Sequence, residues 1–234
     1  MGKLFEELEL KTLASKILKK SEVKPKPVNQ QLDLFAEFAP VGTTEPEFSS
    51  FESLKTVPHE YKLVENEEDI KNLYDFFRTK DFLVLDTETT STSPIDAELV
   101  GLSFSVEEHK AFYVPIPANR EEALQIVNIF KEVYEDPKIL KVGQNLKYDL
   151  EVLRNYDIHL AGPMWDTMIA HYLIQPELHH NMDYMAEIYL NYQTIHIEEL
   201  IGPKGKNQQS MRSLLPSQVY EYAAEDADIT LRLL

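Results

Sequence analysis

The chain has 234 residues, 43% hydrophobic and 10% aromatic, enough for one sizeable core with an appendage. No apolar run approaches the roughly 18–20 residues of a membrane span, the charged N-terminus is no signal peptide, and the absence of cysteine excludes disulfides and thiolate metal sites, which suits a cytoplasmic protein. The net charge of −17 argues against a stand-alone binder of long duplex nucleic acid, yet it leaves room for a site that grips a few nucleotides and recruits cations to its own carboxylates.

Residues 4–18 (LFEELELKTLASKIL) set Leu4, Leu8, Lys11 and Leu18 at helical spacing among other apolar residues and predict a short amphipathic helix. A stretch over about 21–58 follows, with Pro25, Pro27, Pro40, Pro46 and Pro58 among many Ser, Thr, Glu and Gln. That composition is a linker, in which Leu32, Leu34, Phe35 and Phe38 read as a docking anchor. The organisation expected is therefore a helix and interdomain linker over 1–58 and a folded domain over 59–234.

From Tyr61 the pattern becomes dense. YKLV precedes a helix from Asn66 to about Thr79, whose first turn carries Glu67, Glu68 and Asp69 as the helix dipole favours. FLVLD (82–86) is a continuous apolar run, the mark of a strand buried on both faces. Val100, Leu102, Phe104 and Val106 alternate with smaller or polar residues and predict a half-buried strand. A polar turn at 107–110 then joins it to AFYVPI (111–116) as a hairpin. A helix near 120–135, a strand at ILKVG (139–143) and a helix from about Asn145 follow. The remainder, 166–234, reads mostly helical, with loops at 176–180 and 202–210. Antiparallel strands first, with helices interleaved and then dominant, predict an α/β fold: a mixed central sheet flanked by helices.

Three carboxylate-bearing segments carry chemistry. Asp86-Thr87-Glu88 ends the most hydrophobic strand, and period-two spacing puts Asp86 and Glu88 on one side of it. Alone, this describes a polar strand end equally well. In Gly143-Gln144-Asn145-Leu146-Lys147-Tyr148-Asp149, Asn145 and Asp149 lie four apart on one helix face, although a simple N-cap and first-turn acid account for both. Tyr222 and Asp226 are again four apart, on a helix whose Ala223 and Ala224 allow close approach to a sheet; a half-buried surface tyrosine is the plain alternative. Together the segments supply four carboxylates, charge enough for two hard divalent cations. Two such ions about 3.5–4 Å apart can clamp a phosphate and activate a water, which a tyrosine hydroxyl would position.

Here the sequence resembles the 3′→5′ exonuclease domain of bacterial DNA polymerase I, one of the four-carboxylate exonucleases with a ribonuclease H-like fold. VLDTETT (84–90), GQNLKYDLEVL (143–153) and YAAEDADITLRL (222–233) resemble its three motifs. The spacing of Tyr222 and Asp226 resembles the tyrosine subclass; the other has histidine where this chain has Glu221. The similarity extends through ELVGLSFS, AFYVPI, WDTMIAHYLIQP, NMDYMAEIYL and GPKGKNQ, over about 60–234. LFEELELKTL with its Pro-rich linker resembles the end of the 5′-nuclease region, and the chain stops inside the third-motif helix. The resemblance thus implies a truncated piece of a longer polymerase.

It further implies that Asp86, Glu88 and Asp226 ligate the tighter Mg²⁺ or Mn²⁺ ion, with Asp149 holding a second partly through water. Tyr222 and Glu88 would orient the attacking water, and Gln144, Asn145 and Tyr148 would lie near the terminal nucleotides. Thr92 falls where relatives often have an apolar wedge, His179 where an arginine is frequent, and Ile197 where an aromatic is frequent. The implied partners are the single-stranded or frayed 3′ end of DNA and the polymerase and 5′-nuclease domains of the same parent chain, in a cytoplasmic monomer with no membrane contact. Rival readings are an RNA 3′ exonuclease similar to ribonuclease D, and a catalytically silent domain.

Among other features, His179–His180 lacks a third nitrogen or sulfur ligand and reads as a loop rather than a metal site. Lys204-Gly205-Lys206 lacks the spacing of a phosphate-binding loop. Trp165 is expected in the core and Asp166 as an N-cap. Asp96, Glu98, Glu225 and Asp228 compete as ligands without sharing a face with the others, and the glutamates of 121–135 suit a solvated face.

Overall fold

The computed structural model describes residues 51–205 and 208–234. The expected helix at 4–18, most of the linker with its Leu32, Leu34, Phe35 and Phe38 anchor, and Lys206 lie outside the described residues. Among those described, the strands are β1 (Glu52–Ser53), β2 (Glu60–Leu63), β3 (Phe82–Thr89), β4 (Leu99–Glu107), β5 (Lys110–Pro115), β6 (Leu140–Gly143), β7 (Met164–Asp166) and β8 (Tyr192–Gln193). The helices are α1 (Glu67–Phe77), α2 (Arg120–Ile129), α3 (Lys131–Glu135), α4 (Leu146–Arg154), α5 (Thr167–Ile174), α6 (Met182–Leu190), α7 (Ile197–Ile201) and α8 (Pro216–Arg232), with a 3₁₀ turn at Met211–Ser213.

A six-stranded mixed sheet runs in the order β2-β5-β4-β3-β6-β7, and β1 pairs with β8 in a separate parallel ribbon. The β3–β4 and β4–β5 pairs are antiparallel, whereas β2–β5, β3–β6 and β6–β7 are parallel. Strand β3 therefore lies at the centre, and its alternation sorts the core. Leu83 and Leu85 face one side, where Phe77 of α1, Phe104 of β4, Phe130 and Tyr134 pack as an aromatic cluster with Leu146, Val152 and Leu153 of α4. Val84 faces the other side, against Ala224 and Ala227 of α8. Both faces of the sheet are thus covered.

That double cover corrects one expectation. Residues 99–105 of β4 are buried throughout rather than on one face, because α8 crosses the side that alternation alone would assign to water. The alanines permit the crossing: Ala223, Ala224 and Ala227 are all fully buried and keep the helix axis close to the strands. Glycine does the same at position 101. A Cβ there would meet the Tyr113 ring at 2.1 Å, so the bare backbone lets that ring lie across β4. Two further expectations change. The helix predicted over 120–135 is broken at Phe130, whose ring enters the aromatic cluster. Trp165, expected in the core, is 44% exposed at the β7 edge of the sheet.

Lys141 on β6 is fully buried, and its ammonium group donates to the backbone carbonyls of Asp136, Ile139 and Ala161. It ties two loops to the strand that leads into α4. Replacing it with methionine removes the donor from one buried carbonyl, Ile139, at about 1–3 kcal/mol, and from two part-buried ones, Asp136 and Ala161, at less. Lys141→Met is expected to lower the urea midpoint with an unchanged slope; a midpoint equal to that of the parent protein would mean that water replaces the ammonium group there.

Candidate active site

Strand β3 delivers the first carboxylates. Its even-numbered residues point toward α8, so Asp86 and Glu88 continue the row begun by the buried Val84 and meet Asp226 on that helix. One carboxylate oxygen from each of Asp86, Glu88 and Asp226 lies within 4.8 Å of the others. Thr87 points the opposite way, toward α4, and its hydroxyl donates to Asp149 Oδ1 at 2.6 Å. The four acids thus converge from two faces of the sheet at the carboxyl end of its central strand. Asp149 stands behind the three-residue cluster, 2% exposed.

The local structure around Asp149 differs from the expected pattern. Asn145 occupies the cap position of α4 but adopts a left-handed conformation, φ 59° and ψ 42°, and its side chain caps nothing. Asn145 and Asp149 therefore do not share a helix face. The cap comes from Asp166, which accepts from the backbone N–H groups of Asn145 and Leu146 at 3.1 and 2.8 Å. Asp166 also accepts from Met168 and Ile169, as the expected N-cap of α5. One carboxylate anchors two helix starts, and the Asn145 side chain is left to face the cleft.

Burial dominates the acid–base properties. It pushes the Asp86 carboxyl up to about 6. Glu88, Asp149 and Asp226 are held well above the usual carboxylate range, first by burial and then by the neighbouring acids. Glu88 Oε1 is buried without a hydrogen-bond partner. A set of hard oxygen donors with an orphaned lone pair and mutual repulsion fits a divalent cation. The Tyr222 phenol is raised well above its ordinary value by burial and then by the Asp226 carboxylate beside it. It stays protonated at physiological pH and is available as a hydrogen-bond donor.

A cleft of about 520 Å³ opens beside Glu88. Its lining includes Thr92, Asn145, Tyr148 and Ile197 among the residues singled out by sequence. Tyr148 is fixed by hydroxyl contacts to Thr89 Oγ1 and Ser91 O. Gln144 and His179 are not part of this lining. The Gln144 amide donates to His180 O at 2.8 Å and its carbonyl accepts from Thr167, while the His179 ring packs edge-on against Tyr184. His180 pairs with His171, the two Nδ1 atoms 2.7 Å apart. Gln208, Gln209, Ser210 and Met211 form the opposite wall. No spacing signal placed them there, since they lie some hundred residues from β3 and close the cleft only through tertiary packing. None of the described lining residues is Lys or Arg. Lys204 is exposed and 3.6 Å from Glu198.

The rival acids fall outside the cluster. Asp96 and Glu98 are exposed. Glu225 accepts from Tyr192 Oη and Ile195 N, and Asp228 from Tyr61 Oη and His109 N.

Known proteins resemble the chain in sequence and in fold. A family model described as 3′-5′ exonuclease matches residues 61–234. DNA polymerase I of Pseudomonas aeruginosa is 41% identical over 162 residues, covering 65% of this chain and 18% of that protein. DNA polymerase I of Borreliella burgdorferi is 32% identical over 196 residues, covering 81% and 21%. The chain thus spans about a fifth of the length of these curated relatives. Among solved structures, Escherichia coli RNase D, an exoribonuclease involved in structured RNA processing, matches with a TM-score of 0.56 at 22% identity, over 74% of this chain and 43% of that one. The shared architecture is the ribonuclease H-like exonuclease fold.

A carboxyl whose folded pKa is raised holds its proton more tightly when folded. Metal-free stability therefore falls as pH rises from about 4, the unfolded value, through the folded value, about 6 for Asp86. Asp149→Asn relieves part of the repulsion. Its metal-free melting temperature at pH 8 is expected to exceed that of the parent by roughly 2–4 °C per kcal/mol relieved, with a smaller loss between pH 4 and 8. His171, held low by burial and then by His180, acts in the opposite direction in both proteins and cancels. A lower melting temperature for the variant would give the dominant role to the Thr87–Asp149 hydrogen bond.

Proposed function

The chain belongs to the 3′-5′ exonuclease family found in bacterial DNA polymerase I, and from that premise we propose that it removes nucleoside 5′-monophosphates from DNA 3′ ends with two divalent metal ions, Mg²⁺ or Mn²⁺. The observation that carries the reading is the clustering of Asp86, Glu88 and Asp226 with Asp149 behind them, next to a cleft of about 520 Å³.

Asp86, Glu88 and Asp226 would hold one ion, and Asp149 would help hold the second. When bound, the ions supply charge neutralisation at the phosphate, activation of water and stabilisation of the leaving oxygen. The chain itself sets the direction of attack. Tyr222, protonated and adjacent to Asp226, donates a hydrogen bond to the water or accepts one from it, and the Glu88 carboxylate accepts another. The water oxygen bonds to phosphorus as the bond to the 3′ oxygen of the penultimate nucleotide breaks. That oxygen takes up a proton, and the proton that the water gives up passes to solvent, leaving a nucleoside 5′-monophosphate and a shortened strand with a new 3′ hydroxyl. Thr92, Asn145, Tyr148, Ile197 and Met211 line the space for the terminal nucleotides. Gln144 and His179 would act from its margin, Gln144 by holding the loop that carries His180.

A cleft without cationic lining suits a short single-stranded or frayed end better than a long duplex. The relatives are several times longer than this chain. Polymerase and 5′-nuclease domains in the same parent chain would supply the remaining DNA contacts, in a monomer acting in the cytoplasm. DNA is favoured over RNA as substrate because the relatives of 41% and 32% identity are DNA polymerases, whereas the likeness to RNase D concerns the fold.

The test is degradation of a 5′-labelled single strand, as DNA and as RNA, with Mg²⁺ or Mn²⁺, beside a chelator control and Asp86→Ala. A metal-dependent ladder shortening from the 3′ end of DNA, lost in the variant, is expected. Faster loss of the RNA ladder would move the substrate to RNA, and no cleavage by folded, metal-bound protein would favour the silent domain. Tyr222→Phe removes the water-orienting hydroxyl and is expected to lower kcat about a hundredfold with KM little changed. A purely steric role for the ring would leave kcat intact.

A further inference from the structure

Asp226 and Tyr222 belong to a helix that must meet β3 at one rotation and one depth. The fully buried contacts of α8 with the sheet run largely through Ala223, Ala224 and Ala227, with Val219 and Leu231 beside them, and side chains as small as alanine pack closely but resist rotation weakly. Polar contacts can therefore do more to define its pose. Two buried carboxylates on the same helix, Glu225 and Asp228, are not part of the acid cluster, and their four oxygens are all engaged.

Glu225 is fully buried. Its Oε1 accepts from the Tyr192 hydroxyl at 2.7 Å and its Oε2 from the Ile195 backbone N–H at 2.6 Å, which ties α8 to β8 and to the segment leading into α7. Asp228 is 1% exposed. Its Oδ2 accepts from the Tyr61 hydroxyl at 2.8 Å, on β2, and its Oδ1 from the His109 backbone N–H at 2.6 Å, in the β4–β5 turn. Residue His109 has φ 63°, and the turn presents its N–H to the carboxylate in that conformation. Arg232, one turn further along α8, lies over the Tyr192 ring with its guanidinium 4.9 Å from the centroid and its Nη1 3.9 Å from Asp228 Oδ2, joining the two anchors.

At roughly 100° per residue, Glu225 and Asp228 sit about 100° and 160° around the helix from Asp226 on the same side, while Tyr222 is about 40° away. The anchors therefore hold the flank and back of the helix whose front carries the reactive groups. The geometry points to Glu225 and Asp228 as positioning residues that set the rotation and depth at which α8 presents Asp226 and Tyr222 to the metal site, rather than as additional metal ligands. This assignment rests on the two-metal reading of the cluster.

The chemistry separates the two roles. Each anchor bonds one backbone N–H and one phenol, and a phenol oxygen can accept as well as donate. A neutral amide can therefore take the place of either carboxylate, its oxygen on the N–H and its amino group on the tyrosine, whereas a metal ligand loses its function on the same change. Mn²⁺ binding to the full chain would be measured by calorimetry for Glu225→Gln, Glu225→Ala, Asp228→Asn, Asp228→Ala and Asp226→Asn, with kcat and KM on single-stranded DNA.

The amide variants of the anchors are expected to bind Mn²⁺ within about threefold of the parent protein. The alanine variants should weaken binding about tenfold to a hundredfold, the range typical of outer-shell partners, and lower kcat more than they raise KM. Asp226→Asn should lose the tight ion. Should an alanine variant fail to fold, Tyr192→Phe and Tyr61→Phe each remove one donor and are expected to weaken Mn²⁺ binding in the same direction. Amide variants that lose the ion as Asp226→Asn does would overturn the inference and make these residues ligands. Folded alanine or phenylalanine variants with parental Mn²⁺ affinity and kcat would overturn it in favour of a purely structural role. Absence of Mn²⁺ binding by the unsubstituted protein would overturn the two-metal reading itself, and the positioning role with it.

Discussion

Ionised carboxylates repel, and burial strengthens the repulsion; Asp86, Glu88, Asp149 and Asp226 are held together against both. Hydrophobic packing elsewhere must maintain this arrangement. The aromatic cluster of Phe77, Phe104, Phe130 and Tyr134 fixes α1, α2 and α3 on one face of the sheet, and the alanines of α8 close the other. The four acids occupy the end of β3, where both packed layers reach the rim. A bound cation would supply what the surrounding protein withholds, since the described cleft lining holds no Lys or Arg. On the proposed function, the fold and the need for metal are one constraint.

Carboxylates in this molecule have sharply different roles depending on their partners. Asp166 accepts four backbone N–H groups and starts two helices. Glu225 and Asp228 have every oxygen satisfied by a protein donor and behave as struts. Glu88 has an oxygen with no protein partner. A buried polar atom left unsatisfied is costly and persists where another partner is expected. Full satisfaction by protein donors sets Asp166, Glu225 and Asp228 apart from Glu88, although all but Asp166 are deeply buried.

The acidic balance of the chain also has a local reading. A surface carrying −17 repels nucleic acid at long range, so recognition must come from short-range contact at a narrow site. The cleft is lined by hydroxyls, amides and a few apolar side chains. These suit bases and sugars, while the metal-binding acids suit the phosphate once cations are bound. Such a site depends on close positioning, which is why the supports of α8 and the shared cap of α4 and α5 bear on function as well as on stability.

Much of this was legible in sequence, for local reasons. The continuous apolar run at 82–86 identified the central strand, the period-two relation placed Asp86 and Glu88 on one side of it, and the four-residue spacing placed Tyr222 and Asp226 on one side of a helix. Such relations depend only on backbone geometry, and they survive any tertiary arrangement. Others do not. Asn145 was read as sharing a helix face with Asp149, but the cap supplied by Asp166, twenty-one residues away, releases it into a left-handed turn. Alternation predicts a half-buried β4 because it cannot reveal a helix distant in sequence lying across it. Residue type alone puts Trp165 in the core, yet it lies on an edge strand with no further strand beside it among the described residues. The sequence by itself determined which residues could bear the chemistry, since residue type and period are local properties. Only the tertiary structure decided which acids cluster, which are held by protein donors, and that Gln208–Met211 close the cleft, because those outcomes depend on which distant donors reach each oxygen and which segments meet across the sheet.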